Sequence, residues 1–185
     1  MSDTQTQAEA TPFWRFSLFF YRQSGVSKAC IALQDEYGID VNLLLFLLWQ
    51  ADEGRLLSAD EVRKLDDRLR GWRNDAVIPI RGIRRKLKGA RTFIAAEQQE
   101  AFRTKLKAIE LEAERLQQQA LYALCQSELL GTEADRRGAA HGNICAYEHS
   151  MGATFPRDTV DALLGAFNAI VRDERPAASG GAQSG

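Results

Sequence analysis

His141, Cys145 and His149 recur at intervals of four residues, a spacing that lines side chains along one face of a helix, and histidine with cysteine is the ligand chemistry of zinc. The helical rise of about 1.5 Å per residue puts His141 and His149 about 12 Å apart, too far to hold one ion together. On a loop the three could converge, but a structural site would still need a fourth ligand from a distant element. We therefore expect neither a metal nor a cofactor, and a surface segment broken by Gly131, Gly138, Gly142, Gly152 and Pro156, with only a short helix around Asn143 to His149. Asp66-Asp67 is an isolated carboxylate pair, without the second aspartate-rich helix that magnesium-assisted chemistry on an all-helical fold requires. Arg63, Lys64, Arg68 and Arg70 surround it, so intrahelical ion pairs account for both aspartates. No Ser/His/Asp or Cys/His nucleophile set can be assigned from spacing, and there is no glycine-rich phosphate loop. Gln34, Asp35 and Asn42 stand beside the most apolar stretch, where a structural role, with Gln34 or Asn42 semi-buried and hydrogen-bonded, is expected over catalysis.

The charges carry more information than any motif. The totals nearly cancel, 24 Lys plus Arg against 25 Asp plus Glu in 185 residues, so the mean charge points neither to a nucleic-acid protein nor to an acidic disordered one. Their placement is uneven: residues 55–91 hold twelve basic and five acidic side chains, a net charge of plus seven, and residues 92–135 hold four basic and eight acidic, a net charge of minus four. Arg81, Arg84, Arg85, Lys88 and Arg91 are the candidate binding residues of the basic segment. With Ile80, Ile83 and Leu87 inward, Arg81, Arg85 and Lys88 form an exposed row, and Arg84, next to the apolar face, is tied internally. Such a row suits an acidic protein partner, and it is smaller than the roughly 6 to 10 phosphate contacts of a committed DNA binder. Two blander outcomes are that this helix faces the acidic part of the following one, or simply stays solvated.

The positioning elements are helices. DVNLLLFLLW, Asp40 to Trp49, is apolar on nearly all faces yet well short of the roughly 20 residues that a bilayer requires; it reads as the central helix of an all-α, single-domain bundle of six to seven helices. Asp40 is its N-cap. Thr11 and Pro12 open an aromatic first helix that runs to about Gln23. Val26, Ala29, Cys30, Leu33 and Tyr37 stripe a second, closed by Gly38, and the short link to the third favours an antiparallel hairpin. Ser58 with Glu61 is a capping box that starts a fourth, Val77-Ile78-Pro79 breaks the chain, and Pro79 begins a fifth. From Thr92 to about Leu130 no Gly or Pro intervenes, and Phe102, Leu106, Ile109, Ala113, Leu116, Ala120 and Leu124 fall close to a heptad repeat. One long helix follows, or two broken near Ala95. It is either covered by the first or the last helix or free to pair in a homo-oligomer. Asp158 caps a final helix striped by Val160, Leu163, Leu164, Phe167, Ile170 and Val171. Residues 1–10 and 176–185 have tail composition, which leaves a helical domain over 11–175.

Three unpaired-looking cysteines without CxxC spacing, and no basic-then-apolar leader, lead us to expect a cytoplasmic protein that does not enter a membrane. FWRFSLFFY and CIALQDEYGIDVNLLLFLLW, most specifically LQD-x-x-G-x-DVNLLLF, resemble a family of uncharacterised proteobacterial proteins known only as a domain of unknown function. The resemblance implies a cytosolic bacterial helical protein; it brings no functional residues with it. Among function classes, long amphipathic helices with a segregated charge surface favour a protein-interaction or regulatory module. Weak nucleic-acid or other anion binding through residues 55–91 is the second reading, and an enzyme whose site is assembled only by folding is the third.

Overall fold

The computed structural model describes residues 11–89 and 93–173, so the expected tails and Arg91 lie outside the described residues. In chain order the elements are α1 (Pro12–Tyr21), α2 (Val26–Tyr37), α3 (Val41–Asp52), β1 (Arg55–Leu56), α4 (Ala59–Trp72), a π-helical turn (Arg73–Val77), α5 (Ile78–Lys86), α6 (Ala96–Ser127), β2 (Thr132–Glu133), α7 (Arg136–Met151) and α8 (Arg157–Asp173). The protein is an all-α bundle with one long helix, and the two short strands pair antiparallel. Among the described residues no helix is long and apolar enough to cross a membrane.

Local chemistry sets the helix starts. Thr11 Oγ1 accepts from Trp14 N at 3.1 Å, with Pro12 in the first turn. Gly38 closes α2 in the left-handed conformation at φ 68°, where a side chain would be strained. Ser58 and Glu61 exchange both bonds of the capping box, and Glu61 also accepts from Gly131 N at 2.8 Å, tying the β2 turn to the start of α4.

Every residue of α3 from Asn42 to Ala51 is buried. Its most extensive contact is with α7, and α1 and α6 take other sides. Phe13 of α1 meets Phe46 edge-on and stacks on Trp49, both with ring centroids 5.3 Å apart. α8 lies against α2 and α7, inserting Leu163 and Phe167, both fully buried. α2 therefore leans on α8 more than along α3, and the expected hairpin between them is not the dominant contact.

Three further expectations are corrected. Residues 136–151 form a 16-residue helix at the heart of the fold. Glycine lowers helix propensity, but a Cβ on Gly142 would press into the Leu56 side chain, so the residue that argues against a helix is the one that lets it close on β1. Asn143, fully buried, donates to Leu47 O at 2.9 Å and Arg55 O at 3.0 Å and accepts from Leu57 N at 2.7 Å. The chain does not break at Val77-Ile78-Pro79. It passes through the π-helical turn, where Ile78 N bonds back to Arg73 O; the wider turn accommodates Pro79, whose ring would crowd the carbonyl of a regular preceding turn. Last, α6 starts at Ala96 as one 32-residue helix, and its heptad pattern is inverted in part: Leu106 and Ala113 stay buried, while the alternate positions turn outward. Phe102, Ile109 and Leu116 are 53%, 53% and 40% exposed, while Glu110, Gln117 and Gln118 are buried. Its covering elements are α5, the π turn, α1 and α3 rather than α8.

The inversion is explained at the start of α3. Asp40 Oδ1 accepts from Asn42 N at 2.9 Å and Leu43 N at 3.3 Å, and Oδ2 accepts from Arg73 Nη1 at 3.1 Å and Gln117 Nε2 at 2.5 Å. Asp40 N donates to the Tyr147 hydroxyl at 2.8 Å. Arg73 is further held by Asp66 at 2.6 Å. A helix whose first turn is buried needs polar partners in the core, and α6 supplies them with its polar side.

Truncating Leu47 to alanine should cost roughly 2 to 5 kcal/mol. Asp40→Ala should cost a comparable amount, about 2 to 4 kcal/mol, because it removes the cap of α3, leaves Gln117 without its acceptor and strips Arg73 of one of its two carboxylates. Chemical denaturation of each variant checks both values; a change within about 0.5 kcal/mol, the range of ordinary surface substitutions, would contradict them.

Candidate functional site

The five candidate cations begin on α5, whose orientation differs from the one expected. Ile80 and Leu87 are half-buried, but Ile83 is 48% exposed, and it is Arg81 and Arg84 that turn toward α6. Glu110 and Glu114, one turn apart on α6, draw them in. Arg81 donates through Nε to Glu110 Oε1 at 2.8 Å, through Nη2 to Glu114 Oε1 at 2.6 Å and through Nη1 to Gln34 Oε1 at 2.6 Å. Arg84 grips both oxygens of Glu110. Arg85 donates both terminal nitrogens to Asp35 Oδ1 at 3.0 and 3.1 Å in an exposed pair, and Lys88 is exposed. The structure thus gathers Arg81, Arg84 and Arg85 along one seam and does not make an exposed row of Arg81, Arg85 and Lys88.

The seam is electrostatically asymmetric. Burial opposes ionisation of Glu110, but the hydrogen bonds and charges of Arg84 and Arg81 outweigh it and hold its pKa below the usual glutamate range. Burial dominates at Glu114 and raises its pKa, with the Glu110 charge adding to the effect and Arg81 opposing it. Two carboxylates four residues apart are therefore tuned in opposite directions, with one guanidinium shared between them.

Beside this seam a groove of about 350 Å³ opens between α1, α2, α3, α5 and α6, within the size range of small-ligand sites. Its apolar lining comes from Trp14, Leu18, Tyr21, Ile31, Leu45 and Leu111. Arg22, Arg84, Arg85 and Lys107 supply its positive charge, and neither Arg22 nor Lys107 has a carboxylate partner among the described residues. Deeper in, Gln118 Nε2 donates to Asn42 Oδ1 at 2.8 Å. Two buried polar atoms of the lining, Ser17 Oγ and Gln118 Oε1, have no hydrogen-bond partner among the described residues. The arrangement can hold an apolar group, an anion near it and a hydrogen-bond donor within it.

The other candidates resolve into structure. Asn42 is buried and bonded to Gln118, and Gln34 is half-buried and bonded to Arg81. Asp67 pairs with Arg70 and Asp66 with Arg73. His141 and Cys145 sit one turn apart on an exposed face of α7, with Sγ 3.8 Å from His141 Nδ1; among the described residues no three His, Cys, Asp or Glu side chains gather where they could hold a metal ion. Sequence reasoning missed Ser17, Glu110 and Gln118. The available signal was a second stripe on α6, Leu106, Glu110, Ala113, Gln117 and Leu121, which keeps helical spacing but mixes polar residues with apolar ones.

A family model described as protein of unknown function (DUF2390) matches residues 12–121. Neither a curated protein nor a solved structure matches the chain.

The opposite tuning of the two glutamates has a measurable consequence. Glu110→Gln should destabilise by roughly 2 kcal/mol at neutral pH, since two partly buried guanidiniums lose their shared counter-charge, and Glu114→Gln should cost less or stabilise. Because the folded pKa of Glu110 lies below its unfolded value, its contribution is complete above the unfolded value and fades as pH falls through the folded one. For Glu114 the folded value lies above the unfolded one, so its carboxyl favours folding most at acid pH and loses that contribution as pH rises through the folded value. Urea titrations of both variants from acid to neutral pH check this: the two differences from wild type should run in opposite directions with pH.

Proposed function

The chain belongs to this family of unknown function, and we propose that it works as an interaction or regulatory module that binds an acidic, amphipathic segment of a partner protein in the groove between α1, α2, α5 and α6. The carrying observation is the groove itself, an apolar trough whose positive edge includes two cations, Arg22 and Lys107, without carboxylate partners among the described residues. All its lining residues fall between Trp14 and Gln118, inside the segment that matches the family model.

The chemistry favours a protein segment over a nucleic acid. Glu110 and Glu114 already neutralise Arg81 and Arg84, so the charge left at the edge falls short of the roughly 6 to 10 phosphate contacts that sustain DNA binding at moderate salt. Leu18, Ile31 and Leu111, 38%, 45% and 49% exposed, offer burial that a phosphate backbone does not use. An amphipathic helix or strand with carboxylates along one edge uses both features. Arg84 and Arg85 are held in place by Glu110 and Asp35, which lowers the ordering cost of meeting a further carboxylate.

The test is site-specific photo-crosslinking in the native cell from Leu111, with Lys64 on α4 as the control position, in wild type and in an Arg22→Glu/Lys107→Glu background. The expected outcome is a discrete protein adduct from Leu111 that survives nuclease digestion and drops at least about tenfold on charge reversal, the scale of losing charge contacts at an interface edge. An adduct unchanged by the reversal, one that disappears with nuclease, or equal adducts from Lys64 would each overturn the reading.

A further inference from the structure

We infer that the groove receives one aromatic side chain carrying a ring N–H or O–H, a tryptophan or tyrosine of the acidic segment, as its anchor. The inference rests on the interaction reading above and adds what that reading leaves open, the residue type at the centre of the contact.

The starting point is the pair of unsatisfied polar atoms. Ser17 and Gln118 are 3% and 2% exposed, both line the groove, and Ser17 Oγ and Gln118 Oε1 have no partner among the described residues. A buried polar atom without a partner is costly, and a purely apolar occupant would leave both in that state. Gln118 has already committed its amide N–H to Asn42 Oδ1, so its remaining atom can only accept. The hydroxyl of Ser17 can accept as well. An occupant that leaves them unpartnered keeps that cost, and one that brings a donor within reach of them removes it.

The walls narrow the choice. Trp14, Tyr21, Ile31 and Leu45 present apolar surface around these atoms, which disfavours the small polar side chains of serine, threonine and asparagine. A lysine or arginine would bring a donor but would enter against Arg22 and Lys107, the lining cations without a carboxylate partner among the described residues, while Glu110 and Glu114 are already engaged by Arg81 and Arg84. A leucine or phenylalanine would fill apolar volume and leave the acceptors unmet. Tryptophan and tyrosine combine a broad apolar body with a donor at its edge, and they are the residues that dominate anchored contacts elsewhere. The space of about 350 Å³ accommodates a bicyclic ring and part of its flanking chain. Carboxylates on either side of that residue would meet Arg22, Arg85 and Lys107.

The test uses the full chain and three acetylated, amidated tripeptides: Glu-Trp-Glu; the same peptide with naphthylalanine, which keeps the bicyclic ring and lacks the N–H; and Gln-Trp-Gln. Binding is followed by amide-resonance titration of isotope-labelled protein, with Ser17→Ala and Gln118→Met alongside wild type. Glu-Trp-Glu is expected to shift resonances around Ile31 and Leu111 and to bind about fivefold or more tighter than the naphthylalanine peptide, the scale of one buried hydrogen bond. Gln118→Met should bring that ratio toward one, and Ser17→Ala, which removes only an unpartnered hydroxyl, should narrow it without unfolding the protein. Equal affinity for the two acidic peptides would overturn the anchor while leaving the groove as the interaction site. A tryptophan preference untouched by both variants would also overturn it. Binding of Gln-Trp-Gln as tightly as Glu-Trp-Glu would remove the acidic-partner reading and keep the anchor, and no binding of either acidic peptide to the folded protein would overturn both.

Discussion

A helix that is apolar on every side has to begin inside the protein, and Asp40 makes that beginning tolerable. The first turn of α3 presents backbone N–H groups with no intrahelical acceptor, and Asp40 and Asn42 are buried there. One Asp40 oxygen takes two of these donors, and the other takes Arg73 from the π turn and Gln117 from α6. The Asp40 backbone N–H goes to Tyr147 of α7. Three elements, the π turn, α6 and α7, are thereby fixed relative to the end of one helix. A buried carboxylate is worth little as an isolated ion pair; its value here is geometric, since its partners come from α3, the π turn and α6 and have to be brought together to satisfy it.

The rest of the polar interior follows from that requirement. Gln117 has to face α3, which turns Glu110, Ala113 and Leu121 inward with it at helical spacing, and Gln118 beside it meets Asn42. Glu110, once inward, needs a cation, and Arg81 and Arg84 of α5 supply it. The plus-seven and minus-four blocks of the sequence thus close on one another in part, as a seam. The cost is that α6 turns Phe102 and Ile109 outward, a choice that burial of apolar surface alone would not make and that the polar demands of the α3 start outweigh.

These dependencies explain which features could be read from the sequence. The caps at Thr11, Gly38, Asp40 and Ser58 and the burial of Leu43 to Leu48 are local or nearly so, and they were legible residue by residue. The inward face of α6 was not. A periodicity argument assumes that the apolar stripe is the buried one, and Glu110 and Gln117 violate that assumption for the sake of Arg81, Arg84 and Asp40, partners between 26 and 77 residues away. The same long-range dependence hid α7, where Gly138 and Gly142 lower helix propensity while Gly142 admits Leu56, and it reversed Arg81, which local spacing on α5 placed outside. Of the groove's cations, Arg84 and Arg85 were legible as charge; Arg22, Lys107, Ser17 and Gln118 were not, because nothing within a turn of any of them marks it as lining a shared space.

The position of the groove bears on how it can act. Its lining comes from five helices, and Leu45 and Asn42 at its base belong to α3 itself, the element most deeply held. Arg81 and Arg84 are locked to Glu110, and Gln118 to Asn42, so the polar groups that would meet an occupant are already positioned before it arrives. A site of that kind would spend little of its binding energy on ordering itself, and under the proposed anchor it would discriminate through what it leaves unsatisfied, because an occupant that cannot donate to Ser17 and Gln118 would leave two stranded acceptors. On the proposed reading, selectivity in this groove would depend less on the cations at its edge, which any acidic segment can meet, than on two uncharged atoms beneath them.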